Sequence, residues 1–322
     1  MVIERARAHA LPKPWGIVDL RPWSDVRHDD GAIGEIWYER PARAAADPSL
    51  LLKLLFTNQP LSIQVHPDDA FAQAMGLPHG KTEAWYVLSA APGAKVALGL
   101  SRRLTPQQLR EAVDDGSISD LVRWQAVLPD DIISVPAGTI HAIGAGLVIA
   151  EIQQRSDATF RLFDHGRQRE LHIEQAIVMA DAGPADLRIL SDRLTDSRTL
   201  LVSNAHFVFE RLDLAPNSAW RLEAERETWL LVVSGGARVG SFDIATGDAV
   251  FAQADHIDIH PGVIGMVGLV AYTGIGGPIP HLLQDLRQPP SVDAGRRQEV
   301  QVPISLTRAN VASTDVRRET TK

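Results

Sequence analysis

Short runs rich in Val, Ile, Leu and Phe, many alternating with polar residues, are separated by clusters of Gly, Pro and Asp along most of the chain. Alternation at period two puts apolar side chains on one face of a strand, and the turn residues between runs end each strand. The pattern predicts strands at Leu61–Val65, Trp85–Leu88, Ile132–Val135, Leu147–Ile152, Trp229–Val233 and Asp248–Phe251. Strands in such close succession favour a mainly β fold of barrels or sandwiches over alternating β-α-β units. Helical patterns are few. The clearest is Pro106–Val113, where Thr105 is placed to cap and Pro106 takes the first helical position; shorter helices are predicted at Asp68–Met75 and Ile173–Met179. From about Asp293 the chain is polar and rich in Arg and Thr, so its end is expected to fray.

An internal echo organises these elements. Glu83-Ala-Trp85-Tyr-Val-Leu-Ser89 returns as Glu227-Thr-Trp229-Leu-Leu-Val-Val-Ser234, and Asp131–Pro136 returns as Asp248–Gln253. The second copy is shorter because it lacks a helical insert near 101–122. The expectation is two related jelly-roll barrels, 1–185 and 186–280, followed by a C-terminal segment, 281–322.

Composition narrows the setting. The chain has 322 residues and no cysteine, which removes disulfides and thiolate metal sites and fits a reducing compartment. No apolar run approaches a membrane span and the first residues lack the apolar stretch of a signal peptide, so a cytoplasmic location is expected. A net charge of −8 argues against a nucleic-acid surface and implies that an anionic ligand is met by a few local cations.

Three polar interruptions of the β pattern carry candidate chemistry. In Leu61-Ser-Ile-Gln-Val-His66, Ser62, Gln64 and His66 share one strand face, opposite Ile63 and Val65. Glu83 opens a strongly apolar strand, where a carboxylate is costly unless paired or metal-bound. Pro136-Ala-Gly-Thr-Ile-His141 is a tight turn that delivers a histidine onto the next strand. Gln-x-His, Glu and Pro-x-Gly-x-x-His in this order follow the metal-site order of a cupin barrel. The candidate ligands are Gln64, His66, Glu83 and His141, a mixed nitrogen–oxygen set suited to one Zn²⁺, with Mn²⁺, Fe²⁺ or Ni²⁺ as other occupants. In the second copy Asp258 takes the place of His141 and no Gln-x-His precedes Glu227, so His256 and His260 are read as structural.

These residues, with Lys13-Pro-Trp-Gly16, Gly34-Glu-Ile-Trp37, Gly80-Lys-Thr-Glu83 and Glu151-Ile-Gln-Gln-Arg-Ser-Asp-Ala-Thr-Phe-Arg161, resemble the class I mannose-6-phosphate isomerases in their short bacterial form. The resemblance implies a zinc-dependent isomerase of the cupin type acting on a sugar phosphate, with Arg161, Lys81 and Glu151 in its active site and a second, metal-free barrel. Arg155 stands where many members have Asn, and His79 is set one residue farther from Lys81 than the corresponding histidine of some longer members. Isomerisation between mannose 6-phosphate and fructose 6-phosphate needs a base, stabilisation of oxygen charge and a phosphate anchor. Glu151 is either the base or an orienting partner of Lys81 or Arg161. Lys81 is phosphate ligand or acid/base, Arg161 grips phosphate or the enediol(ate), and Ser62 contacts phosphate or closes a polar cavity. Rival readings are a non-catalytic sugar-binding cupin, an iron-dependent cupin oxygenase and an isomerase of another sugar phosphate.

Overall fold

The computed structural model describes residues 2–26, 31–41, 47–185, 191–274 and 276–287. The polar tail expected from Asp293, and the 185/186 boundary on its C-terminal side, lie outside the described residues.

The chain is mainly β, as its alternation predicts, and its described strands form three antiparallel sheets. A six-stranded sheet runs Arg7–Ile17, Ile33–Glu39, Leu50–Thr57, Leu147–Gln154, Glu83–Ala90, Ile132–Val135. A five-stranded sheet runs Phe160–Phe163, Ile63–Val65, His141–Ile143, Lys95–Leu100, Val122–Ala126. A ten-stranded sheet is built around Thr228–Val239 and the long strand Asp255–Thr273, with Val2–Arg5 paired to Ala249–Gln253.

Apolar residues divide by strand face. Trp85, Val87, Leu147 and Ile149 from the six-stranded sheet pack with Val96, Leu98 and Ile143 from the five-stranded one. The opposite faces of the same strands, through Tyr86, Ala150 and Ile152, join Phe207, Phe209, Trp229, Phe251 and Leu269 in a second core. A third core lies inside the ten-stranded sheet. A fourth covers the outside of the five-stranded sheet with the helices Pro106–Asp114 and Ile173–Met179.

The echoed segments pair with each other in both copies, but one residue apart in register: Trp85 lies opposite Ile133, whereas Trp229 lies opposite Phe251, the counterpart of Ser134, and the two indoles fall in different cores. All three predicted helices appear: the Thr105 side chain caps the first as expected, accepting from the Gln108 N–H while Gln108 returns the bond; Asp68, read as the first helical residue, instead caps Asp69–Ala74; and Ile173–Met179 has no side-chain cap. The 101–122 insert holds Pro106–Asp114 and a further turn of helix, Ile118–Leu121. Regular pairing at Leu61–Val65 is confined to Ile63–Val65, because Leu61 binds the Ile143 carbonyl and Ser62 leads into the strand from outside the ladder. No helix among the described residues is long and apolar enough to cross a membrane.

Candidate functional site

Strand register assembles the site from segments far apart in the chain. In the five-stranded sheet Arg161 lies opposite Gln64, and Gln64 opposite His141. In the six-stranded sheet Lys53 lies opposite Glu151, Glu151 opposite Trp85, and Glu83 opposite Gln153. The turn that carries His141 is tied to the His66 segment: Gly138, at φ +83°, donates its N–H to the His66 carbonyl at 2.8 Å.

His66, Glu83 and His141 are buried, and their ligating atoms lie within 4.8 Å of one another. His66 Nδ1 is 2.8 Å from the Ala158 carbonyl and His141 Nδ1 is 2.9 Å from the Thr139 carbonyl. A carbonyl only accepts, so each Nδ1 carries the proton and each Nε2 turns a lone pair toward Glu83. The Nε2 atoms stand 3.4 Å from Glu83 Oε2 and Oε1 respectively. Lone pairs facing a carboxylate repel unless a cation lies among them. Burial drives His66 well below its ordinary pKa and His141 down to about 4, so neither ring supplies that charge itself. Lys81 Nζ is 3.1 Å from Glu83 Oε2 and 3.0 Å from His66 Nε2, yet the carboxylate oxygen still lacks a well-aligned hydrogen-bond donor. This donor set could hold a metal ion. Gln64 stands beside it, its Nε2 3.3 Å from His141 Nε2 and its Oε1 accepting from Ser62 Oγ at 2.9 Å. The amide would have to turn over to offer oxygen to a cation.

A cavity of about 170 Å³ opens from this group. Five cationic side chains (Lys13, Lys53, Lys81, Arg161, Arg169) and four carboxylates (Glu35, Glu83, Glu151, Asp157) line it. Glu151 is buried, accepts from Trp85 Nε1 at 3.0 Å and sits 3.5 Å from Lys53 Nζ. Burial and the charge of Glu83 raise its pKa against the pull of Lys53 and Lys81. Burial alone would depress Lys81, but Glu83 and Glu151 together outweigh it and hold the ammonium above its ordinary value. Burial lowers the pKa of Lys53. Glu35, in spite of burial, is held below the usual carboxylate range by Lys53 and Lys13. Arg161 is half-buried with an unpartnered Nε, and its backbone N–H donates to His172 Nδ1 at 3.3 Å.

The structure thus places Gln64, Glu83, Lys81, Glu151 and Arg161 in the lining of one cavity, with His66 and His141 buried against Glu83 and outside that lining. Ser62 is buried against Gln64 and is not among the cavity-lining residues, and His79 is exposed. Arg155 leaves the turn after Glu151 intact: its N–H donates to Ser49 O, and Ser156 N–H closes on Gln154 O. Asp258 is engaged by Arg221 at 2.8 Å, with His256 and His260 exposed beside it. Sequence reasoning missed Lys53, although a lysine inside Leu50-Leu-Leu-Lys-Leu-Leu-Phe56 carries the same signal as Glu151. It gave no role to Lys13, Trp15 and Glu35 within the motifs it quoted. For Arg169 and His172 no sequence signal was present, because only the fold after Phe163 returns them to the cavity.

No family model matches the chain. It is 34% identical over 220 residues to the mannose-6-phosphate isomerase of Streptococcus mutans serotype c, across 65% of this chain and 67% of that protein. It is 32% identical over 222 residues to mannose-6-phosphate isomerase ManA of Bacillus subtilis (strain 168), across 65% and 68%. The crystal structure of the Bacillus subtilis mannose 6-phosphate isomerase aligns with a TM-score of 0.75 over 84% of this chain and all of that one (100%), at 23% identity. A mutant of the Salmonella typhimurium phosphomannose isomerase aligns at 0.69 over 85% and 100%, with 14% identity. The structural matches speak to the fold.

Proposed function

The chain belongs to the mannose-6-phosphate isomerase family, and from that premise we propose that it interconverts mannose 6-phosphate and fructose 6-phosphate in a zinc-dependent aldose–ketose isomerisation. The observation that carries the reading is one cavity in which a buried His66–Glu83–His141 group adjoins a carboxylate of raised pKa, Glu151, and an ammonium held charged, Lys81.

His66, Glu83 and His141, with Gln64 beside them, would hold the zinc, which supplies Lewis-acid stabilisation of charge on the substrate oxygens. Glu151 removes the C2 proton of open-chain mannose 6-phosphate, and the freed electron pair forms the C1–C2 double bond as O1 takes a proton from Lys81. Lys81 recovers a proton from O2, and the Glu151 carboxyl returns its proton to C1, giving fructose 6-phosphate. A raised carboxyl pKa suits this two-way traffic, because the group must both take and return a proton near neutral pH. Trp85 Nε1 and Lys53 hold the Glu151 carboxylate from two sides and fix the direction of its free lone pairs. Arg161, next to Arg169 and His172, meets the phosphate, for which a planar guanidinium is well shaped.

The test is a coupled assay of fructose 6-phosphate formed from mannose 6-phosphate, before and after chelator treatment and with zinc restored. Activity that vanishes with chelator and returns with zinc is expected. Folded, zinc-loaded protein that turns over a different sugar phosphate, or none, overturns the assignment.

A further inference from the structure

Lys81 acts from a loop, so something must hold that loop against the pull of a flexible four-carbon side chain. Its own N–H donates to the Pro67 carbonyl at 2.8 Å. On either side, two side chains complete the hold. Asp69 Oδ1 accepts from the Gly80 N–H at 2.8 Å and also from Gln154 Nε2 at 2.8 Å. The other end of the same amide, Gln154 Oε1, accepts from the Thr82 N–H at 2.9 Å. Three consecutive amides around Lys81 are therefore pinned, and the outer two hang on one connected Asp69–Gln154 unit.

The close approach is built in. A Cβ on Gly80 would lie 2.5 Å from the Asp68 carbonyl carbon, so only glycine lets the two loops touch. Asp69 projects from the first turn of the helix Asp69–Ala74, whose cap is Asp68 through the Phe71 N–H at 2.8 Å. The two aspartates after His66-Pro67 thus divide the work: one ends the loop into helix, the other reaches across to the Lys81 loop. Gln154, at the end of the strand that carries Glu151, is buried. The Asp69 side chain is 43% exposed, so its removal leaves no buried cavity.

We propose that Asp69 and Gln154 are positioning residues that set the Lys81 ammonium against Glu83 and the substrate, acting through acceptor geometry and not through the charge of Asp69. The proposal deepens the isomerase reading, since it rests on Lys81 acting there.

Because a single oxygen of Asp69 takes both bonds, Asp69→Asn keeps that acceptor, whereas Asp69→Ala removes it. The experiment measures amide hydrogen exchange from His79 to Glu83 in the full chain loaded with zinc, together with kcat and KM on mannose 6-phosphate. Asp69→Ala is expected to speed exchange at Gly80 and Thr82 roughly tenfold or more while strands elsewhere keep their protection. In the same variant kcat falls roughly 10- to 100-fold with KM within about threefold, as for a misplaced reacting group. Gln154→Met is expected to free Thr82 likewise. Asp69→Asn retains both protection and turnover. The proposal is overturned if Asp69→Ala leaves Gly80 and Thr82 protected, or if Asp69→Asn loses protection as fully as Asp69→Ala. Exchange judges the clamp even if the wild-type protein proves inactive on mannose 6-phosphate, an outcome that would sink the functional reading instead.

Discussion

The two copies of Glu-x-Trp sit on paired strands one residue apart in register, with Trp85 and Trp229 in different cores, and they do opposite things. In the second copy Glu227 is fully engaged: it accepts from the Ser49 and Leu50 N–H groups at 2.6 and 2.8 Å and from Trp229 Nε1 at 3.3 Å. In the first copy Trp85 turns its Nε1 to Glu151, and Glu83 is left facing two imidazole lone pairs with one oxygen lacking an aligned donor. The same three-residue pattern therefore builds a bracket between sheet and turn in one place and a cation-demanding group in the other. What separates them is where the indole points. A donor turned onto its own glutamate completes the bracket; a donor turned onto a neighbouring strand leaves its glutamate open and orients a second carboxylate as well.

The comparison can be broken at several points. The largest effect is expected for Glu83→Gln, which removes the sole anion among the candidate ligands. Zinc content and kcat should fall together, roughly 100-fold or more in turnover, and a thermal melt of the metal-free protein should move downward, because buried Lys81 loses its nearest counter-charge. Retained stoichiometric zinc in this variant would show that the ion is held elsewhere.

Next is a buried charge that is complete. Arg198 donates Nε and Nη2 to Glu210 at 2.8 Å, with Tyr272 OH also on Glu210 and the remaining guanidinium bonds on the Ile279 and Pro280 carbonyls. Arg198→Met should cost about 3–5 kcal/mol in urea denaturation, the usual consequence of stranding one partner of a buried pair, with kcat changed less than about twofold.

Lys53→Met sharpens the assignment of Glu151. Lys53 lowers the Glu151 pKa, so its loss should raise it further. Glu151 serves as base only when ionised, so the acid limb of kcat/KM against pH should move to higher pH, with turnover lost on that limb. An unmoved acid limb would take the base role from Glu151.

The smallest effects come from the two indoles. Trp85→Phe should lower kcat about tenfold by releasing the Glu151 carboxylate. Trp229→Phe loses a long hydrogen bond and also leaves a cavity at a fully buried core position, so it should cost about 1–3 kcal/mol in stability, with catalysis unaffected.

Much of this was legible in the chain because strand patterns are local. The face-sharing of Gln64 and His66, the opening position of Glu83 and the turn before His141 each follow from a few neighbouring residues, and the helix at Pro106 came with a readable cap in Thr105. The cross-strand partnerships were not legible. That Lys53 faces Glu151, or that Trp85 serves Glu151 while Trp229 serves Glu227, depends on register between strands far apart in sequence. Ser62 shows the converse limit. It was read onto the polar face of a strand, yet the strand begins at Ile63, and Ser62 is buried with its hydroxyl donated to Gln64 and lies outside the cavity lining.

Register also governs the strand Leu147–Gln154, which serves two masters. Leu147 and Ile149 pack toward the cavity-bearing side, where Glu151 and Gln153 follow them, while Val148, Ala150 and Ile152 belong to the core shared with the ten-stranded sheet. Deleting or inserting one residue here would act like a frameshift in space. It would drive Glu151 among Phe207, Phe209 and Trp229 and put Ile152 where Glu151 now lines the cavity. Along this strand the protein can trade one side chain for another of like character. It cannot change the count.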